Sequence, residues 1–195
     1  MHHPGNAGTE ARLSTWKALV EAVEAGQIKS IGVSNFEVEH LDEIEAWQKA
    51  TEAAGGNGGA LSVNQMELHP WSRYEDVVAW CEKRGVVLEA YSPLTRGKHF
   101  DEPLLKPIVK RTGKSPAQVL IRWSLQMVSL ITKPFSLLSR YYSIADLLEQ
   151  GFVPLPKSVT PSRIQENADV YDFELTKAEM ESLAGLGEEY YSMEL

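Results

Sequence analysis

Residues 153–167 read VPLPKSVTPSRIQEN, and this stretch decides the fold. A short apolar run ends at Pro156, and Pro161, suited to the first position of a helix, opens the next element. Lys157, Ser158, Thr160, Arg163 and Asn167 crowd the junction. A strand that hands over to a helix through so few residues is one βα unit. Its polar groups sit where helix N–H groups and dipole favour an anion.

The same alternation runs upstream. STWKALVEAVEAGQ places Trp16, Leu19, Val20 and Val23 on one helical face with Gly26 as its stop, and KSIGVSNF follows as a strand. Val38, Leu41, Ile44 and Trp47 stripe a second helix, AAGGNGGA is a loop, and LSVNQMELHP is a second strand. Residues 75–84 form a helix that stops at Gly85, before the strand VVLEAYSPL. Residues 103–112 are helical, as is SPAQVLIRWSLQ, with Ser115 as N-cap and Pro116 at the first position. FVPLP is the fourth strand, and Thr176 with Glu179 forms a capping box for a last helix carrying Met180 and Leu183. A short strand stub fits residues 1–3.

Strands separated by helices give parallel pairing. Each strand ends in polar residues: Ser34-Asn35, Asn64-Gln65, Tyr91-Ser92 and Lys157-Ser158. A (β/α)8 barrel builds its active site from those strand ends. A doubly wound sheet competes, but its G-x-G-x-x-G loop after a strand is absent, and GGNGG precedes a strand instead. The barrel is the favoured α/β architecture. It is an incomplete one, about strands four to eight, because such barrels take about 250 residues and this chain has 195.

The chain carries a net charge of −8, which argues against nucleic acid or an anionic membrane surface as a partner. No apolar run approaches the roughly 20 residues of a membrane span, and no signal peptide is visible, so a cytoplasmic protein is expected. Cys81 is the single cysteine and falls in a helical pattern, as a small buried apolar residue would. No histidine pair has metal-ligand spacing with supporting carboxylates. His69 reads as a turn residue, His40 and His99 as solvated surface histidines. Trp71 reads as either a substrate-pocket wall or a packing residue.

GVSNF at 32–36, NQMELHPW at 64–71, AYSPL at 90–94 and PLPKSVTPSRIQEN at 154–167, in this order, resemble the aldo-keto reductase family. The last motif is strong, AYSPL alone is weak, and the likeness covers about residues 12–186. The resemblance implies a barrel that reduces carbonyls with NADPH, acting on an aldehyde, ketone or aldose. It implies that Ser34, Asn35 and Gln65 hold the nicotinamide carboxamide and that Tyr91 stacks under the nicotinamide ring. Ser92 and Leu94 would approach the pyrophosphate. Lys157, Ser158, Thr160 and Arg163 would bind the adenosine 2′-phosphate, and Glu166 and Asn167 the adenine. Arg offers phosphate a planar fork and Lys a point charge, which agrees with those roles.

Two departures stand out. The family works with an Asp, Tyr, Lys and His tetrad, in which Tyr is the acid that protonates the carbonyl oxygen. Of these only the His has a match, His2 in MHHPG. The expectation is therefore a chain with most of the cofactor site, little catalytic competence, and self-association through exposed barrel edges. A non-catalytic NADPH-binding or regulatory module is the alternative. The second departure is residues 128–150, VSLITKPFSLLSRYYSIADLLEQ, which interrupt the expected passage from helix to strand. They read as an atypical insertion within the domain spanning 1–195, either a translated intron or a genuine loop.

Overall fold

The computed structural model describes residues 1–127 and 151–186; the insertion at 128–150 lies outside the described residues. The chain forms two compact units, residues 1–66 with 74–88 and residues 67–73 with 89–195.

In the first unit, α1 (Gly8–Glu24), β1 (Ile31–Ser34), α2 (Val38–Ala53), β2 (Leu61–Glu67) and α3 (Glu75–Arg84) follow in order. β1 and β2 pair in parallel, with Gly32 opposite Val63, Val33 opposite Asn64 and Ser34 opposite Gln65. Gly32 is required by that pairing, since a Cβ there would meet the Val63 carbonyl oxygen at 2.7 Å. Trp16 and Val20 of α1 and Leu41 and Ile44 of α2 are buried, as their stripes predict, while Leu19, Val23 and Trp47 are half-buried. α1 begins at Gly8, earlier than its apolar stripe suggests, because its first two turns present mostly polar residues to solvent. The GGNGG loop serves packing: Trp16 Nε1 donates to the Gly58 carbonyl (3.1 Å) and Gln48 Nε2 to that of Gly59 (2.7 Å). At Gly59, φ is +71° and a Cβ would lie 2.4 Å from Val20 Cγ2. Residues 1–3 form no strand; instead the Met1 ammonium donates to the Gly32 carbonyl at 2.6 Å.

β3 (Val87–Tyr91) leads into the second unit. There follow a 3₁₀ turn (Thr95–Gly97), α4 (Leu105–Thr112), α5 (Pro116–Gln126), β4 (Val153–Leu155), α6 (Pro161–Ala168) and α7 (Lys177–Ala184). β3 and β4 pair in parallel, Glu89 opposite Val153 and Tyr91 opposite Leu155. The capping boxes at Ser115–Gln118 and Thr176–Glu179 form as the sequence implies. The core of this unit gathers Leu105, Ile108, Val119, Leu120, Trp123, Phe152 and Met180, all buried.

Candidate functional site

At the end of β1 the Ser34–Phe36 turn is gripped by β2. Ser34, nine-tenths buried, donates its Oγ to the Gln65 carbonyl at 2.9 Å, and the Asn35 N–H donates to the same oxygen at 2.9 Å. Asn35 Nδ2 donates to Ser34 Oγ (3.1 Å) and to the His2 carbonyl (3.3 Å). Asn35 itself is left-handed, φ 59°, a conformation Asn tolerates better than most residues. Asn64, fully buried, donates Nδ2 to the Phe36 carbonyl at 2.9 Å. The structure thus brings Ser34, Asn35, Gln65 and the backbone of His2 together, while the His2 imidazole is exposed to solvent. Burial pushes the neighbouring Cys81 thiol up to about 12, with Asn64 opposing the shift, so the buried cysteine stays protonated.

In the second unit, Tyr91 closes β3 half-buried, and Ser92 takes φ 51°. A tight loop follows, with Thr95 N–H on the Ser92 carbonyl (2.9 Å) and Gly97 N–H on that of Leu94 (2.7 Å). Thr95 and Arg96 are also left-handed, φ 49° and 56°. Non-glycine residues in this region cluster at ligand sites, where surrounding structure holds them.

The junction after β4 is open. Ser158 Oγ accepts the Thr160 N–H at 3.2 Å. Thr160 is the N-cap of α6, yet its side chain does not cap the helix, unlike Ser115 on α5 and Thr176 on α7. With Pro161 at the first position, the N–H groups of Ser162 and Arg163 have no partner within the helix. Lys157, Thr160 and Arg163 are exposed, and among the described residues neither Lys157 nor Arg163 forms an ion pair. Arg163, Glu166 and Asn167, spaced i, i+3 and i+4, share a face of α6. The other end of this helix is anchored. Lys114 pairs with Asp169 (2.9 Å) and Asp172 (2.7 Å), and Gln118 Nε2 donates to the Asp169 carbonyl at 2.6 Å.

A hollow of about 230 Å³ is lined by Pro156, Ser158, Ile164, Asn167 and Ala168. It gathers Ser158 and Asn167 of the implied set; Lys157, Thr160, Arg163 and Glu166 are not on its wall. Ile164 was not singled out by its residue type. Half its surface is exposed, and it lies three residues before Asn167, the helical spacing that could have flagged it.

Four ring-bearing residues need correction or placement. His99 is no free surface histidine: it stacks on Trp71, ring centres 4.1 Å apart and planes at 18°. His40 is built into the start of α2, where its Nδ1 accepts the Glu37 N–H at 3.3 Å, and it meets the Phe36 ring edge-on. His40 finds its partners three and four residues back, at turn spacing, whereas His99 meets Trp71 only through the tertiary fold. Trp71, 4% exposed, packs. His69 is a turn residue, exchanging backbone bonds with Ser72. Burial lowers its basicity, with Glu67 opposing.

The aldo/keto reductase family model matches residues 2–104 and 99–188, and the chain belongs to that family. It is 39% identical over 93% of its length to an uncharacterized oxidoreductase of Schizosaccharomyces pombe, covering 54% of that protein. It is 34% identical over 97% of its length to a glyoxal reductase of Bacillus subtilis, covering 56% of it. The structure of the Gox0644 D53A mutant in complex with NADPH matches 88% of the chain with a TM-score of 0.66 and 34% identity, over 52% of that chain. The chain spans about half the length of the curated relatives it matches. Its parallel-strand α/β fold is that of aldo-keto reductase barrels. Among the described residues no helix is long and apolar enough to cross a membrane.

Proposed function

We propose that this chain binds NADPH as part of a carbonyl reductase that passes hydride to a small aldehyde, ketone or aldose. The observation that carries the reading is the α6 N-terminus. It is uncapped, next to Lys157 and Arg163 without ion-pair partners among the described residues, and anchored at its far end. A dianionic 2′-phosphate suits that combination: first-turn N–H groups, a guanidinium fork and an ammonium. Ile164 and Asn167 line the adjoining hollow, offering a purine ring one apolar and one amide neighbour. In the first unit, the Ser34–Asn35 turn and Gln65 suit a neutral amide, which needs paired donors and acceptors rather than charge. Tyr91, Ser92 and Leu94 at the end of β3 serve the ring and pyrophosphate in this reading, and Thr160 and Glu166 complete the phosphate and adenine contacts.

His2 is the one residue matching the family's tetrad, in the role of orienting the carbonyl. The 195 residues offer no match to its Asp, Tyr and Lys, so hydride transfer lacks its proton donor. On that ground the chain by itself binds NADPH with negligible turnover, which is where a non-catalytic nucleotide-binding role gains its support. Isothermal titration with NADP⁺ and NAD⁺ tests the cofactor reading: NADP⁺ is expected to bind at least tenfold more tightly, about 1.4 kcal/mol, and equal affinities would refute it. NADPH oxidation with glyoxal and a panel of simple aldehydes and aldoses tests the second part. Turnover clearly above a no-enzyme control would show that the chain is catalytically competent.

A further inference from the structure

The geometry points to Asn64 as the positioning residue that holds the Ser34–Asn35 turn in the shape that receives the nicotinamide carboxamide; this rests on the cofactor reading above. Asn64 sits opposite Val33 in the β1–β2 register, one residue before Gln65. Successive side chains of a strand point to opposite faces, so the Asn64 and Gln65 side chains lie on different sides of β2. The turn is held at two points, by the backbone of Gln65 and by the side chain of Asn64. The Gln65 backbone carbonyl accepts from Ser34 Oγ and the Asn35 N–H, each at 2.9 Å. The Asn64 amide donates to the Phe36 carbonyl, also at 2.9 Å. Between these anchors Asn35 is kept at φ 59°, a left-handed conformation that Asn adopts more readily than most non-glycine residues but that is still held by its surroundings.

Asn64 is an awkward residue to bury for packing alone. Its exposure is 0%, as is that of Phe36, and its Oδ1 has no hydrogen-bond partner among the described residues. A buried unpaired acceptor is costly; an apolar side chain of the same shape avoids that cost but leaves the Phe36 carbonyl without its donor. What the amide supplies is a fixed Phe36 carbonyl and, through it, a fixed turn. Asn64, being buried, acts on the ligand only through residues 34–36.

The test compares NADP⁺ with 2′,5′-ADP, which carries the phosphates and adenosine but no nicotinamide, by calorimetry on the 195-residue chain. Asn64→Ala is expected to weaken NADP⁺ about tenfold and to leave 2′,5′-ADP within about twofold. Equal losses for both ligands, or no loss for NADP⁺, overturns the proposal. Asn64→Asp provides the second arm. A carboxyl buried at this position is pushed toward its neutral form, and once protonated it can donate to the Phe36 carbonyl. The ratio of NADP⁺ to 2′,5′-ADP affinity should therefore recover as pH falls, a ratio largely free of the phosphate titration that both ligands share. A ratio flat with pH overturns the proposal, as does loss of both ligands in both variants, which would make Asn64 structural only. Wild-type chain that binds neither ligand sinks the cofactor reading itself. Wild-type chain that binds both equally spares the phosphate site and removes Asn64's role.

Discussion

The end of β1 and the start of α6 are built in opposite ways. At the end of β1, Ser34, Asn35 and Asn64 are buried or half-buried and already hydrogen-bonded to the protein. At the start of α6, Lys157, Thr160 and Arg163 are exposed, and no side chain caps the helix. The first region fixes its shape before any ligand arrives and so offers geometry with little charge. The second offers charge and first-turn N–H groups without a side-chain cap to order them. A neutral amide needs the former, because its discrimination lies in donor and acceptor placement. A phosphate is well served by the latter, because charge-assisted bonds are strong without much preorganisation.

The largest effect expected from this contrast is at α6. Arg163→Ala should cost about 1.5–3 kcal/mol in NADP⁺ affinity, or roughly tenfold to a hundredfold, while NAD⁺ affinity stays nearly constant. Lys157→Ala should act in the same direction by less, as a point charge without a fork. Raising salt should weaken NADP⁺ binding to wild type more than to either variant, because exposed charges are screened. Titration at low and high salt reads both. An equal loss of NAD⁺ affinity would mean that these cations do not read the 2′-phosphate.

At β1 the corresponding test concerns backbone shape. Asn35→Gly keeps the left-handed turn at no steric cost, whereas Asn35→Ala must be forced into it, at about 1 kcal/mol. Thermal unfolding should rank wild type and Asn35→Gly close together and Asn35→Ala lower. Both variants should lose NADP⁺ affinity through the missing amide. If the two melt alike, the turn relaxes freely and the preformed half of the contrast fails.

Much of this was legible in the sequence. The capping boxes at Ser115 and Thr176, Gly26 and Gly85 as helix stops, and the four strands follow from local chemistry that needs no tertiary information. Ser34, Asn35 and Gln65 came from motifs, and in the structure the Ser34–Asn35 turn bonds to the backbone carbonyl of Gln65 on β2. What was not legible depended on distant partners. His99 finds Trp71 across 28 residues of sequence, and nothing in KHF announces it. The Asn64 amide reaches Phe36 only because β1 and β2 pair in that register. The early start of α1 escaped because a solvent-facing turn leaves no apolar stripe. Ile164 escaped because an isolated isoleucine on a helix reads as core until the hollow beside it is seen.

A buried histidine and a half-buried glutamate separate the units by the sign of their pH response. His69, in the second unit, is pushed below its ordinary 6.5 mainly by burial. As pH falls through about 6.5 the unfolded chain takes up a proton that the folded chain resists, so the unfolded state binds more protons and stability drops toward acid. Glu82, on α3 of the first unit, is pushed above its ordinary 4.5 by burial. There the folded state holds the extra proton, so its contribution is present below 4.5 and is lost as pH rises through the folded value. Melting curves should show that His69→Gln flattens the loss of stability between about pH 7 and pH 5. Glu82→Gln should raise stability at neutral pH. An unchanged acid slope in His69→Gln would show that another group sets it.

The smallest effect lies in surface ion pairs, which occur in both units and so control for the contrast. Arg84 bonds Glu45 at 2.7 and 3.0 Å in the first unit and lies 3.9 Å over the Trp80 ring. Arg111 bonds Glu179 at 2.7 and 2.6 Å in the second and, among the described residues, has no such ring beneath it. Exposed pairs of this kind are worth about 0.5 kcal/mol after screening, and Arg84 adds its aromatic contact. Arg84→Ala should therefore lower the melting point slightly more than Arg111→Ala. The Arg84 hydrogen bonds hold the Glu45 carboxyl down to about 2 from 4.5. That contribution is present above 4.5 and disappears as pH falls toward about 2. Arg84→Ala should thus come closer to wild type at low pH, leaving the part due to the lost stacking on Trp80, while a gap as wide in acid as at neutral pH would assign its whole cost to that stacking.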